Sequence, residues 1–261
     1  MSHPDPANSF AKRLRANLAE RLRVIHLACT RRYLYGDLAK ILPPVEPEIT
    51  DIRADLHPFA FARGFPDAQS APPDFSTRLG SPAAFSPAGA PPWNTEPSVS
   101  AFLGELALHL RARTIVELGS FVGWTSAHFA LALQQMGAGH VHCVESMPAY
   151  AEAASANLTR LGLAEWADFH VGLSTSTELI ARLPAAWDLV FIDTSHQYED
   201  TVREIALSSA RLTPGGCIAL HDSMRWGGVR RPILEAAANF HVLTFATELG
   251  NGLTVLRARQ P

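Results

Sequence analysis

Three acids and two histidines stand where short apolar runs end, and their types and spacing define the chemistry open to this chain. Asp193 closes the run Leu189-Val190-Phe191-Ile192, and His221-Asp222-Ser223 closes Cys217-Ile218-Ala219-Leu220. If the two runs are adjacent strands, two carboxylates meet at their ends and repel unless a proton or cation lies between them. A Mg²⁺-like ion accepts carboxylates, neutral oxygens and waters, so Asp193, Asp222 and the Ser223 hydroxyl are candidate ligands. With the imidazole of His221 in the set, Mn²⁺, Fe²⁺ or Zn²⁺ is also accommodated. The purely structural alternative is that Asp193 caps the next helix and Asp222 holds a loop. His196 follows Asp193 by three residues on one loop. It is a candidate general base toward a hydroxyl, whose pKa a neighbouring cation would lower. A histidine donating to a carbonyl is the structural alternative. Glu145, the third acid, ends Val141-His142-Cys143-Val144. In that position a carboxylate can accept hydrogen bonds from ribose hydroxyls.

The elements that must position these groups are organised around Thr114-Ile115-Val116-Glu117-Leu118-Gly119-Ser120-Phe121-Val122-Gly123-Trp124-Thr125-Ser126. An apolar β-branched run passes through an acid and two glycines into a helical pattern, which reads as strand, tight turn, helix. Such a turn brings backbone N–H groups and a helix N-terminus to a strand end, where a polar cofactor can dock. Tight packing alone is the alternative explanation for the glycines.

Around this unit the chain alternates. A helix is expected from Ser98 or Ser100, either of which could cap it, to about Leu110. Strands are expected at Val141–Val144, Phe169–Val171, Leu189–Ile192 and Cys217–Leu220, with helices after Pro148, through Ile205 and Leu207, and from Val229 to Ala238. His241–Phe245 and Leu253–Leu256, around Gly250-Asn251-Gly252, read as two last strands joined too tightly for a crossover helix. The expected fold is α/β: a doubly wound, mostly parallel seven-stranded sheet with an antiparallel last strand, preceded by a helical and irregular extension. The reading divides the chain into an extension, residues 1–95, and a ligand-binding domain, residues 96–261.

In the extension, Leu14, Leu18, Leu22, Ile25 and Cys29 form an apolar stripe, so Phe10 to Lys40 reads as a basic amphipathic helix that packs on its own domain or on another copy. Arg31, Arg32, Tyr33 and Tyr35 are candidate entrance residues. From Leu42 to Pro97 the many prolines disfavour helices and central strands. The aromatics Phe59, Phe61, Phe65, Phe75, Phe85 and Trp93 argue for a segment that wraps over the domain or a neighbouring subunit rather than a free linker.

Composition excludes several classes. With 22 basic and 25 acidic residues the formal charge is −3, which provides no general attraction to nucleic acid or an anionic membrane. Three scattered cysteines, Cys29, Cys143 and Cys217, do not make a disulfide framework or a zinc site. With no apolar signal core and no run of 18 apolar residues, the expectation is a cytoplasmic protein.

The motifs together resemble the class I S-adenosylmethionine-dependent methyltransferases, and among them the metal-dependent O-methyltransferases. Val116–Ser126 is similar to the glycine loop of the catechol O-methyltransferase group, Cys143–Ala151 to its ribose-binding segment, and Gly172-Leu173-Ser174 to its adenine-side loop. Asp188–Asp193 and Leu220–Ser223 resemble its two metal-bearing strand ends. Asp193–Glu199 with Leu220-His221-Asp222 is also similar to a bacterial branch acting on sugars, macrolides and other natural products. The resemblance runs from about Glu96 to Arg259. It implies that Glu117, Gly119, Gly123, Trp124 and Thr125 surround the methionine part of S-adenosylmethionine, that Glu145 binds the ribose, and that Ser174 lies on the adenine side. It further implies that Asp193 and Asp222 hold a divalent ion, Mg²⁺ or alternatively Mn²⁺, Fe²⁺ or Zn²⁺, with His196 as base. Two departures stand out: the catechol enzymes have lysine at the position of His196 and asparagine at that of Ser223, and no second acid adjoins Asp222. The implied partner is a small-molecule hydroxyl substrate such as a phenol, sugar or polyketide, with a homo-oligomer expected. Three rival readings remain: an NAD-dependent oxidoreductase, though the G-x-G-x-x-G fingerprint is missing; a nonmethylating, hydroxylase-like relative; and a binding protein on a degenerate methyltransferase fold.

Overall fold

The computed structural model describes residues 48–51, 75–247 and 249–258. The helix expected over Phe10–Lys40, the entrance residues Arg31 to Tyr35, and Phe59, Phe61 and Phe65 lie outside them.

The strands are β1 (Glu48–Asp51), β2 (Thr114–Leu118), β3 (His140–Glu145), β4 (Ala167–Val171), β5 (Trp187–Ile192), β6 (Leu212–His221), β7 (Phe240–Ala246) and β8 (Leu253–Ala258). The helices are α1 (Phe75–Leu79), α2 (Pro97–Leu110), α3 (Trp124–Met136), α4 (Pro148–Arg160), α5 (Thr177–Ile180), α6 (Tyr198–Ser209) and α7 (Gly227–Ala236). They build one sheet in the order β1-β7-β8-β6-β5-β2-β3-β4. Every pairing is parallel except those of β8 with β6 and β7.

This is the expected doubly wound sheet with its antiparallel last strand, and one edge strand is added. The proline-rich stretch was read as free of central strands, and β1 is not central: it pairs only with the outer edge of β7. Four residues are too few to show an alternating pattern in sequence. They become a strand because β7 presents unpaired backbone groups.

The central strands read as unbroken apolar runs because both faces are covered. Ile115, Leu189, Phe191, Cys217 and Ala219 join a core with α2 and α3. The alternate residues Val116, Val190, Ile192, Ile218 and Leu220 join a second core that includes Ile205 of α6 and Val229 and Ile233 of α7. Segment 75–95, assigned by sequence to the extension, contributes Phe75, Leu79 and Phe85 to the first core. No described helix is long and apolar enough to cross a membrane.

The start of α2 differs from expectation. Pro97 is its first residue and Glu96 occupies the N-cap position without capping through its side chain. Ser100 instead contacts the Thr95 hydroxyl at 2.5 Å. The Glu96 carboxylate is engaged elsewhere, as described below.

One acid in α2 is unbalanced. Glu105 is 8% exposed, and its Oε2 has no partner among the described residues. Burial pushes its pKa from the usual glutamate range up to about 7. A raised carboxylate pKa means that the folded state binds the extra proton, so stability falls as pH rises from the ordinary value toward 7. Glu105→Gln is therefore expected to be more stable than the parent at pH 8 and close to it at pH 4.5, as urea midpoints at the two pH values would show.

Candidate functional site

Parallel strands with right-handed crossovers bring all their carboxyl ends to one edge, and ligands bind in the crevice beyond it. Here that crevice is a cavity of about 590 Å³. Gly119, Glu145, Ser174, Asp193, His196 and Asp222 all line it.

Gly119 lets the floor of the cavity form. Its φ is +89°, and a Cβ placed there would meet the Asp193 carbonyl oxygen at 1.9 Å. The ends of β2 and β5 approach this closely only because residue 119 has no side chain. Gly123 serves packing: its φ is +83°, and an added Cβ would touch Ala154 and Leu158 of α4.

Glu145 holds the loop and faces the cavity. Its Oε2 accepts from the Phe121 N–H at 2.8 Å and its Oε1 from the Met147 N–H at 2.9 Å. Oε1 also accepts from the Ser146 hydroxyl at 3.3 Å, and Oε2 retains a lone pair for a ligand hydroxyl.

Ser174 donates to Glu204 Oε1 at 2.5 Å, and Thr194 donates to Glu204 Oε2 at 3.0 Å. Buried Glu204 thus ties the loop after β4 to the loop after β5, and burial pushes its pKa up to about 7. The sequence reading did not find it. A glutamate inside an amphipathic helix looks like any solvated one until its burial is known.

Four expected cofactor residues do not line the cavity. Glu117 lies beneath the glycine loop, accepting from the Ser126 hydroxyl and from Cys143 Sγ. Burial pushes its pKa up to about 8 despite those two bonds. Gly123 packs on α4, as above. Trp124 is expected beside the methionine part, but its side chain is buried edge-on against Phe85 and His128. Thr125 contacts the Thr95 hydroxyl at 2.9 Å. Phe85 and Thr95 come from the segment before α2, so the first turn of α3 anchors that segment. The wall near the opening is built from other aromatics. Phe121 and Tyr150 meet with centroids 4.6 Å apart, and Trp93 meets Phe121 at 5.7 Å.

The polar end gathers Asp193, His196 and Asp222, whose potential ligand atoms all lie within 4.8 Å of one another. His196 Nε2 is 3.2 Å from Asp193 Oδ1 and 3.1 Å from Asp222 Oδ2. Its ring stacks on Trp226 at 5.7 Å and 12°. Burial alone would lower the His196 pKa, but hydrogen bonds to the two carboxylates outweigh it and push it up to about 9. Burial would likewise raise Asp193, yet His221 and His196 hold it well below the usual carboxylate range.

His221, expected as a metal ligand, lines the cavity but directs both ring nitrogens at protein acids. Its Nε2 is 2.7 Å from Glu96 Oε2 and its Nδ1 is 3.3 Å from Asp193 Oδ2. Burial opposes its charge, but Asp193 and Glu96 push its pKa up to about 10. Thr247 donates to the other Glu96 oxygen at 2.8 Å. The structure therefore gives His221 a bracing position behind Asp193 and brings His196 to the two acids instead. Ser223 is buried, does not line the cavity, and its hydroxyl has no partner among the described residues.

The residues present fit both implied groups. Asp222 Oδ1 is buried with no partner among the described residues, and the Asp193 and Asp222 carboxylates converge on one imidazole nitrogen. A single proton cannot satisfy that many acceptors, whereas a divalent cation can. For the cofactor, the cavity combines the Glu145 carboxylate with Trp93, Met147 and Leu173, which are large apolar side chains left 62%, 51% and 65% exposed. Adenine stacked there would cover them.

Comparison with known proteins agrees with this geometry. Residues 116–223 match a family model described as a methyltransferase domain. The chain is 27% identical over 163 residues to a catechol O-methyltransferase of Niastella koreensis, covering 60% of this chain and 72% of that one. It is 31% identical over 128 residues to a catechol O-methyltransferase of Mycobacterium tuberculosis, covering 49% and 56%. Among solved structures it resembles the O-methyltransferase TomG of Streptomyces achromogenes, involved in tomaymycin synthesis and solved with S-adenosylmethionine. That match has a TM-score of 0.57 and 22% identity, and it covers 65% of this chain and 83% of TomG. The likeness to TomG is one of fold. Taken with the matched domain and the cavity at the carboxyl ends of the strands, these relationships support S-adenosylmethionine-dependent methyltransferase activity on a fold like that of the O-methyltransferases.

Proposed function

We propose that the protein transfers the methyl group of S-adenosylmethionine to a hydroxyl of a small molecule, a phenol, sugar or polyketide-like natural product, with a divalent metal ion. The observation that supports this reading is the continuity of one cavity from Glu145 to the group of Asp193, His196 and Asp222. Glu145 would bind the ribose, with the loop of Gly119 beneath the methionine part and Ser174 on the adenine side. Asp193 and Asp222 would hold the ion. The bound ion supplies a charge that orients the acceptor oxygen and lowers its pKa, and the sulfonium methyl is already activated.

His196 is the proton acceptor in this reading, at Nε2. The two carboxylates that keep it protonated are the same two that would hold the ion. With their charge offset by an ion, Asp193 and Asp222 would no longer raise the His196 pKa, and Nε2 would be available to the acceptor hydroxyl. His221, braced by Glu96 and Thr247, keeps Asp193 in place. One observation favours a second role for His196. It belongs to the compact group of potential ligand atoms, so it could instead be the third metal ligand.

Calorimetric titration of the metal-stripped protein with Mg²⁺, Mn²⁺ and S-adenosylmethionine, repeated on His196→Gln, tests both. Cofactor binding without saturable ion binding would sink the metal-dependent reading. Ion affinity kept in His196→Gln while methyl transfer is lost assigns the base; ion affinity lost with it assigns a ligand. The same reading includes a cytoplasmic homo-oligomer whose residues 1–95 select the acceptor. Light scattering checks the assembly, and exchange of that segment between relatives checks the selection.

Glu145→Gln keeps the shape and removes the charge that accepts hydroxyl and N–H donors. It is expected to weaken S-adenosylmethionine binding by about 10-fold or more, since hydrogen bonds to a charged group contribute about 1.5–3 kcal/mol each. Cofactor titration of the variant measures this directly.

A further inference from the structure

A second cluster of ligating side chains lies on the outer pair of strands, away from the cavity. His140 and His142 alternate on β3, and Asp168 and His170 alternate on β4. The parallel register sets His142 beside Asp168 and Val144 beside His170, so all four side chains emerge on one face. The rings of His140 and His142 are 5.2 Å apart, and those of His142 and His170 stack at 6.0 Å and 25°. His140 Nε2 is 3.0 Å from Asp168 Oδ2. The potential ligand atoms of His142, Asp168 and His170 all lie within 4.8 Å of one another. None of the four residues lines the cofactor cavity.

We propose that His142, Asp168 and His170, with His140 as fourth donor, form a binding site for a borderline divalent transition metal ion of the Zn²⁺, Co²⁺ or Ni²⁺ type. Three imidazoles and one carboxylate form a donor set that suits these ions and not Mg²⁺. Four protein donors leave no position for substrate, which is the pattern of a closed structural site. Bonds of about 2.0–2.2 Å require the donor atoms to converge from their present spacing. That convergence would come from rotation of the side chains on their strands.

Two observations point to a ligand rather than a solvated edge. His170 Nε2 is shielded from solvent and has no hydrogen-bond partner among the described residues. His142 and His170 stack on one another, and the one acid of the cluster, Asp168, is paired with His140. Burial, then the neighbouring imidazoles, lowers the His142 pKa, which favours the neutral form that binds metals. The site is also open to an ion. The chain between β4 and β5 supplies only the four-residue α5, and Asp168 is exposed. A bound ion would cross-link the last two strands of the sheet just before the loop of Gly172 and Ser174.

The test uses the full-length, metal-stripped protein titrated with Co²⁺ and followed by the visible absorption of tetrahedral cobalt. The parent should bind one equivalent more than a His142→Gln, His170→Gln variant. An Asp193→Asn, Asp222→Asn variant should retain that equivalent and its tetrahedral band, and Zn²⁺ should displace it while Mg²⁺ does not. Zn²⁺ should raise the thermal midpoint of the Asp193→Asn, Asp222→Asn protein, and the shift should vanish when His142 and His170 are also replaced. Asp168→Asn, at an exposed position, should weaken the same equivalent without disturbing the fold. Equal stoichiometry in parent and histidine variant, or a tetrahedral band that survives their loss, would overturn the proposal. Failure of the Asp193 and Asp222 variant to lose any ion would bear only on the catalytic metal, so the two readings remain distinguishable.

Discussion

Asp193→Ala is expected to lower methyl transfer by about 10³-fold or more while leaving S-adenosylmethionine affinity within a few-fold of the parent. A metal ion that polarises an oxygen contributes several kcal/mol to the transition state, and each 1.36 kcal/mol is about tenfold in rate. Asp193 is the acid on which the polar end converges, with His196 Nε2 at 3.2 Å and His221 Nδ1 at 3.3 Å. Truncation removes one of the two carboxylates assigned to the ion and leaves both imidazoles short of a counter-charge. Breaking a buried charge pair costs about 3–5 kcal/mol of stability, so the alanine variant is also expected to unfold earlier. Asp193→Asn separates the effects: it preserves volume and should show the rate loss with a smaller stability loss. Single-turnover methyl transfer, cofactor titration and urea unfolding of both variants give the three readouts. Turnover within tenfold of the parent for Asp193→Asn in the presence of a chelator would remove the ion from the mechanism.

Gly119→Ala should be the most damaging alanine substitution among the described glycines. An added Cβ meets a backbone oxygen, that of Asp193, at 1.9 Å, and a backbone atom cannot step aside without moving β5. The φ of +89° adds the cost of a left-handed conformation, about 1–3 kcal/mol, and overpacking adds about 1–3 kcal/mol more. Against a typical folding stability of about 5–15 kcal/mol, such a loss is large. Any folded fraction should bind cofactor poorly, because Gly119 lines the cavity and its loop is displaced with it. Gly137→Ala is the internal control. Its φ is +68° but nothing lies within 4 Å of an added Cβ, so only the conformational cost, about 1 kcal/mol, applies. Comparing the urea midpoints of the two variants isolates the clash. Equal midpoints would mean that β2 and β5 are free to separate.

The class of fold and the acids at its working edge were legible in the sequence for a definite physical reason. Strands covered on both faces need apolar residues at every position, so an acid that interrupts such a run marks a strand end. Glu145, Asp193 and Asp222 were found in this way, and the structure sets all three on the cavity. Gly119 was legible because a φ forbidden to other residues leaves glycine as its sequence trace. Which side chains face the crevice was not legible. Glu117 and Trp124 lie within the same motif, yet one sits under the loop and the other packs on Phe85, a residue from the proline-rich segment. Glu96 reaches His221 across 125 residues, and that contact turns His221 into a brace behind Asp193 and leaves His196 between the two acids. Local periodicity states which face of an element is apolar, because that depends on backbone geometry within a few residues. The partner of a buried charge is chosen by whichever distant chain is packed against it, and only the tertiary structure decides that.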